Sequence, residues 1–305
     1  MTHARELKWL THTVGVLDLG DRSVISVTGD DAHEWLQGQL TNDCAGKAPG
    51  ESVYGFVLTL KGRVLADTWA FFHDDGVWLD VPARQADAVM ERLDKYIIME
   101  DVDLELSSEL RWMTAQGPKA EEVVETSWAA DRLGVGGRQW LVPAAELNGE
   151  LERATRAAAQ LDGGWVSLDA WEFAHVVWGR PLFGRDFGEF TYPQETGLTK
   201  AAVSFNKGCY IGQETVVMLE NRGKAPKVLW RWGIDATDAP EAKTPIELDG
   251  HTVGEITSAV TTNDGVVALG FLKRGQGDED AQDDGFSVGG APAQAKGSVA
   301  DHLRV

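Results

Sequence analysis

Residues 204–215 read Ser-Phe-Asn-Lys-Gly-Cys-Tyr-Ile-Gly-Gln-Glu-Thr, and this run holds the residue types best suited to chemistry. Cys209 follows Gly208, and Gly212 lies just beyond Tyr210 and Ile211. Glycine beside a thiol allows close backbone approach and leaves main-chain N–H groups exposed. Lys207 stands two positions before the sulfur. A nearby ammonium favours thiolate, the reactive form of cysteine. If Ile211-Gly212 opens a helix, its N-terminus adds to that stabilisation. A cysteine taken alone reads better as a buried, inert residue of a tight turn. The lysine and the glycines shift the reading toward a functional thiol.

Charge singles out the same stretch. The 305-residue chain carries 28 Lys and Arg against 48 Asp and Glu, a net charge of −20. Between Thr196 and Arg231 the balance reverses. Lys200, Lys207, Arg222, Lys224, Lys227 and Arg231 face only Glu214 and Glu220. Such an island draws an anion, a carboxylate-bearing cofactor or a phosphate backbone, to one place while the remaining surface repels it. General DNA coating is excluded by the overall charge. For any single lysine here, an ordinary solvated charge is the simpler account.

Other chemistries find no support. The two cysteines, Cys44 and Cys209, make neither a disulfide scaffold nor a C-x-x-C zinc site, and no metal is expected. There is no G-x-x-x-x-G-K-[ST], H-E-x-x-H or G-x-S-x-G. Gly134-Val135-Gly136-Gly137 reads as a hairpin turn. The first twenty residues do not form a leader, and no run approaches a membrane span, so a soluble cytoplasmic protein is expected. A hydrophobic fraction of 43% with 12 Trp and 10 Phe supplies a core and rules out wholesale disorder. The length suggests two or three folding units.

The elements that must position the thiol read as α+β. Val24–Val27 is a strand, followed by a helix whose Asp31 and Glu34 have capping-box spacing and whose Trp35, Leu36 and Leu40 share a face. Val53–Leu60 and Val64–Phe72 flank a Lys61-Gly62-Arg63 turn, and Val77–Val81 follows. A helix with Pro82 near its start carries Ala86, Val89, Leu93 and Ile97. Asp101–Leu106 alternates as a half-exposed strand. Residues 145–180 hold two helices parted by Asp162-Gly163-Gly164, and 181–225 read as loop. Val228–Ile234, Thr252–Ala259, Val266–Leu272 and a last run near the C-terminus predict a small barrel. Gly275–Gly285 is an acidic solvated loop. The division expected is 1–225, two interleaved α+β subdomains, and 226–305, a barrel.

Lys207-Gly208-Cys209-Tyr210-Ile211-Gly212-Gln213-Glu214 resembles, without gaps, the signature of the YgfZ family of folate-binding proteins, relatives of the glycine-cleavage T protein. Leu36-Gln37-Gly38-Gln39-Leu40-Thr41-Asn42-Asp43 and Lys61-Gly62-Arg63-Val64-Leu65 resemble further blocks of that family. So do Gly179–Gly184, Pro193–Leu198 and Ala268–Arg274, so that the likeness runs from about residue 12 to 274.

The resemblance implies a three-domain T-protein-like ring with a C-terminal β-barrel. It implies tetrahydrofolate, or a derivative, in a central channel, pterin inward and glutamate tail outward near basic residues. It also implies upkeep of iron–sulfur client proteins, among them an enzyme that modifies tRNA, with Cys209 as the residue linked to that role. An aminomethyltransferase-like C1 transferase is the alternative. The sequence departs from the aminomethyltransferases in two places. Val177 stands where their R-x-E-A-G block has its glutamate, and in Ala66-Asp67 only one acid of a pair remains.

Under this resemblance Cys209 and Asp67 are the candidate catalytic residues. Lys207, Gly208, Tyr210, Gln213, Arg180 and Asn42 are the candidate cofactor contacts. Several have plainer readings. Asp67 is either a folate-contacting acid or a strand-face acid in solvent. Tyr210 either stacks on a pterin or fills a turn. Gln213 and Glu214 bind a ligand or cap the next element, with capping favoured for Glu214. Asn42 and Asp43 line the channel or end a helix. Arg180 and Arg185 extend a basic rim or are surface charges. Trp69, Trp78 and Trp171 are assigned to the core.

Overall fold

A computed structural model describes residues 3–222, 225–276 and 285–303. Lys224 and most of the acidic run, 277–284, lie outside the described residues. In chain order, α1 (Ala4–His12) and β1 (Gly15–Asp18) lead to β2 (Arg22–Thr28) and the short α2 (Ala32–Gln37). β3 (Ser52–Leu58), β4 (Val64–His73), β5 (Gly76–Pro82), α3 (Ala86–Asp94) and β6 (Asp103–Ser107) follow. Then come β7 (Leu110–Gln116), β8 (Trp128–Ala129), β9 (Gly137–Pro143), α4 (Leu147–Gln160), β10 (Gly164–Trp165) and α5 (Leu168–Val177). A winding stretch carries α6 (Thr199–Ala202) and α7 (Gln213–Arg222). β11 (Lys227–Ile234), β12 (Pro245–Leu248), β13 (His251–Thr262), β14 (Gly265–Lys273), β15 (Phe286–Val288), β16 (Ala291–Ser298) and α8 (Val299–His302) complete it.

Two five-stranded sheets, ordered β3-β4-β5-β2-β6 and β10-β1-β7-β9-β8, precede a closed barrel ordered β11-β14-β13-β12-β15-β16. The strand period explains how the layers stack. Ile25, Val27, Ala70 and Phe72 point to one face of the first sheet, into a core shared with α2 and α3. Their neighbours Val24 and Phe71 point to the other face and meet Leu17 and Trp112 of the second sheet. The second sheet's far side packs on α4 through Met113, Ala115, Ala154 and Ala158. Strands buried on both faces read as nearly unbroken apolar runs, which is why β4 was legible. A fourth cluster joins the first sheet (Phe56, Leu58, Val64), the winding stretch (Leu198, Val203, Tyr210, Val216) and the barrel (Leu229, Leu269, Phe271).

Several local expectations are corrected. Asp31 makes no cap bond; its carboxylate accepts from the Asp101 amide at 2.8 Å, because the chain entering β6 passes directly over it. α2 closes at Gln37, and Leu40 instead bridges to Val57. The loop expected over 181–225 contains α7, of which only Val216 and Leu219 are buried. That stripe is too thin to show as a helical period. Among the described residues no helix is long and apolar enough to cross a membrane.

Candidate functional site

A cavity of about 520 Å³ opens between the first sheet, the β8–β9 connection, α5 and the winding stretch. Asp67, Trp69 and Phe71 alternate along β4, so Asp67 and Trp69 face the second sheet, and its connecting loop leaves the space that they line. Tyr54 pairs with Trp69 across the β3–β4 ladder and lines it too. Trp69 is therefore cavity wall, only half-buried, whereas Trp171 is core as expected and Trp78 is half-buried against His73.

Behind this wall lies a buried charge network. The Arg22 guanidinium donates to Asp67 Oδ1 at 2.7 Å and ion-pairs with Asp80. Arg132 also pairs with Asp80 and donates to Gln139 at 2.7 Å. The Tyr54 hydroxyl donates to Asp67 Oδ2 at 3.2 Å. Two guanidiniums thus balance two carboxylates. Burial by itself would raise Asp80, but the charges of Arg132 and Arg22 outweigh it and hold the carboxyl below its ordinary value. Burial likewise works against Arg22, and Asp67 and Asp80 reverse it, so that Arg22 titrates above its ordinary value. Tyr54 is pushed well up by burial and by Asp67. Asp67 is 7% exposed, so it is not a strand-face acid in solvent.

Asn42, Asp67 and Arg180 come together on the cavity. Asn42 follows α2 rather than ending it. Its amide donates to Tyr54 O at 2.8 Å and Ala201 O at 2.9 Å, tying β3 to α6. The Arg180 guanidinium makes no hydrogen bond among the described residues and feels the charge of Asp131. It lies over Gly134, whose φ is +80° and where any Cβ would collide with Arg180 Nη2. Asp131 Oδ1 accepts from the Gly134 and Val135 amides at 2.6 and 3.0 Å and fixes that loop. The glycine run read as a hairpin turn does join β8 to β9, and it also seats Arg180.

The remaining candidates do not line the cavity. Lys207 Nζ donates to the carbonyls of Gln37 (2.7 Å), Leu40 (2.8 Å) and Asn42 (2.6 Å), at and just beyond the C-terminal end of α2. Unpaired carbonyls at a helix end are a natural seat for an ammonium. Burial draws Lys207 down to about 8. Tyr210 fills the three-way core, 6% exposed, and burial pushes its hydroxyl up to about 12. Gly208 and Cys209 are exposed, and Cys209 is a free thiol. Gln213 opens α7, and its backbone N–H donates to Tyr210 O at 3.2 Å. Glu214 is exposed and makes no cap bond. Gly212 and Gly62 meet face to face; a Cβ on Gly62 would sit 2.7 Å from Thr215 Cβ and 3.0 Å from Gly212 O. That contact explains both the Lys-Gly-Arg turn and the signature's second glycine.

The basic island is dispersed in the same way. Lys227 lies 3.8 Å over the Phe271 ring, and Arg231 bonds His302. None of its described members lines the cavity, whose cations are Lys47, Arg132 and Arg180. Arg185 pairs with Glu172 outside it. Val177 is not on the cavity either, but His175, two residues earlier on α5, is. Sequence reasoning missed His175, Tyr54, Arg22 and Arg132, because nothing in their spacing links them. The one available signal was Gly134–Gly137. Among the described residues no group of His, Cys, Asp or Glu is arranged to hold a metal ion.

Comparison with known proteins places this geometry. The GCVT N-terminal domain family matches residues 1–134. The tRNA-modifying protein YgfZ of Klebsiella pneumoniae (strain 342) is 26% identical over 276 residues, 82% of this chain and 82% of that protein. The protein of the same name from Aliivibrio fischeri (strain MJ11) is 27% identical over 286 residues, covering 88% and 87%. The chain resembles YgfZ proteins over most of its length. The crystal structure of glycine cleavage system aminomethyltransferase T from Bartonella henselae superposes with a TM-score of 0.77 at 20% identity, over 88% of this chain and 80% of that one. The chain therefore has the T-protein fold, with its closed six-stranded barrel following the two sheets.

Proposed function

We propose that the chain is a tetrahydrofolate-binding accessory protein of tRNA modification and iron–sulfur protein maintenance, acting in the cytoplasm. The tRNA role rests on what its relatives are named for, and the iron–sulfur role on the signature around Cys209. Its partners are then the folate, iron–sulfur clients and tRNA-modifying enzymes, with neither membrane nor specific DNA among them.

The observation that carries the folate reading is the cavity and what it leaves unused. About 520 Å³ suits a cofactor of this size, with Trp69 and Tyr54 offering flat apolar walls. Arg180 brings a guanidinium with no acceptor of its own, and His175 Nε2 is buried without a partner. These groups fit a ligand with polar ring edges and carboxylates. Arg180 and Lys47 would hold the carboxylate tail, and Asn42 and Asp67 would border the ring. Tetrahydrofolate, when bound, supplies a carrier for one-carbon units. The chain's own contribution is to enclose and orient it. Cys209, exposed on a separate surface, is the thiol available to a client protein.

Calorimetric titration with tetrahydrofolate tests the first half, with one-to-one binding expected and absence of binding rejecting it. Cys209→Ala tests the second. It should abolish activity of a dependent iron–sulfur enzyme in cells while the protein stays folded, and full complementation would reject the thiol's role.

An aminomethyltransferase-like C1 transferase draws on Asp67 facing the same cavity. It is the weaker reading, because both carboxylate oxygens of Asp67 are already engaged, Oδ1 by Arg22 and Oδ2 by Tyr54. Turnover of a glycine-type substrate by purified protein would restore it.

A further inference from the structure

We propose that His175 is the residue that reads the buried end of the ligand, its Nε2 accepting a hydrogen bond from a ring N–H donor; this rests on the folate reading above. His175 sits in the last turn of α5, lines the cavity and is 4% exposed. Its Nδ1 lies 2.8 Å from Arg180 O. A carbonyl can only accept, so Nδ1 carries the proton and Nε2 presents a lone pair. That lone pair is buried and has no partner among the described residues. Leaving a buried acceptor unmade costs about 1–3 kcal/mol, so the site is complete only when something donates to it.

The imidazole is held in this state. The Trp171 ring packs edge-on against it, centroids 4.5 Å apart, and fixes its tilt. Burial, with the charges of Arg132, Arg180 and Arg185 added, lowers its pKa to about 3 against the pull of Arg180 O. It is therefore neutral at physiological pH, and with the proton held on Nδ1 its Nε2 cannot become a donor.

This dictates the chemical class of what it touches. A carboxylate or phosphate brings only acceptors and would face the lone pair unfavourably. A reduced pterin brings ring N–H and amino donors. His175 thus orients the ligand, heterocycle to α5 and anionic tail toward Arg180 and Lys47.

The test titrates tetrahydrofolate and p-aminobenzoylglutamate, which is the tail without the pterin, into wild type, His175→Phe and His175→Gln. His175→Phe should weaken tetrahydrofolate about tenfold and leave p-aminobenzoylglutamate unchanged. His175→Gln, which returns an acceptor oxygen, should recover part of the loss. Undiminished tetrahydrofolate binding by His175→Phe, or equal loss of both probes, overturns the proposal while the folate reading stands. Failure of wild type to bind tetrahydrofolate removes that reading and the proposal together. If His175→Phe does not fold, ¹⁵N NMR of wild type decides. The His175 Nε2 resonance should move when tetrahydrofolate is added, and an unmoved resonance overturns the proposal.

Discussion

The signature segment 207–213 and the cavity wall divide the work of this molecule in an instructive way. The signature is contiguous and chemically suggestive, yet its lysine is spent on three backbone carbonyls and its tyrosine on the core. The wall is assembled from β3, β4, a loop, α5 and α6, and it is here that the Arg180 guanidinium and His175 Nε2 are left without hydrogen-bond partners among the described residues. The two regions touch through Asn42, whose carbonyl takes Lys207 and whose side chain borders the cavity. A run of polar residues can thus be demanded by the fold, while a ligand site is drawn from positions that share no spacing.

The largest expected effect lies beneath the wall. Arg22→Met leaves Asp67 and Asp80 short of a buried partner and should cost about 3–5 kcal/mol in urea unfolding. A loss under 1 kcal/mol would show that the network does not hold the wall.

A pH effect comes next. The unfolded His175 imidazole takes a proton below its usual 6.5, while the folded one stays neutral down to about 3. The unfolded state therefore binds more protons in that window, and stability falls with falling pH by up to about 1.4 kcal/mol per unit. Comparing unfolding at pH 7 and pH 5, His175→Phe should lose less stability than wild type, and equal losses would count against a buried neutral imidazole.

Lys207→Met should cost about 2–3 kcal/mol through three lost charge-assisted bonds and leave ligand affinity intact. Arg180→Ala should do the reverse, with stability within ~0.5 kcal/mol and affinity for tetrahydrofolate down about tenfold. Such a crossed result sharpens the contrast between the two regions; parallel losses would break it. Cys209→Ser, at an exposed position, should change stability by less than ~0.5 kcal/mol.

Much of the fold was legible. β4, β5 and β14 are largely apolar runs, β2 carries Val24, Ile25 and Val27, and α4 shows its period through Ala154 and Ala158. α7 was not, because only two of its residues are buried. Of the site, Asn42, Asp67 and Arg180 were reached through family resemblance. His175 and Arg132 were not, since an imidazole left with one buried nitrogen unpartnered and a guanidinium crossing between sheets are facts of tertiary packing. Lys207 was read toward a ligand because the sequence does not show that the end of α2 lies within its reach.

The most direct measurement is calorimetry with tetrahydrofolate on wild type, Arg180→Ala and Lys207→Met, each confirmed folded. One-to-one binding by wild type, weakened by Arg180→Ala and preserved in Lys207→Met, is the result predicted. No binding by wild type, or weakening in Lys207→Met matching that in Arg180→Ala, would contradict the assignment of the ligand to the cavity wall.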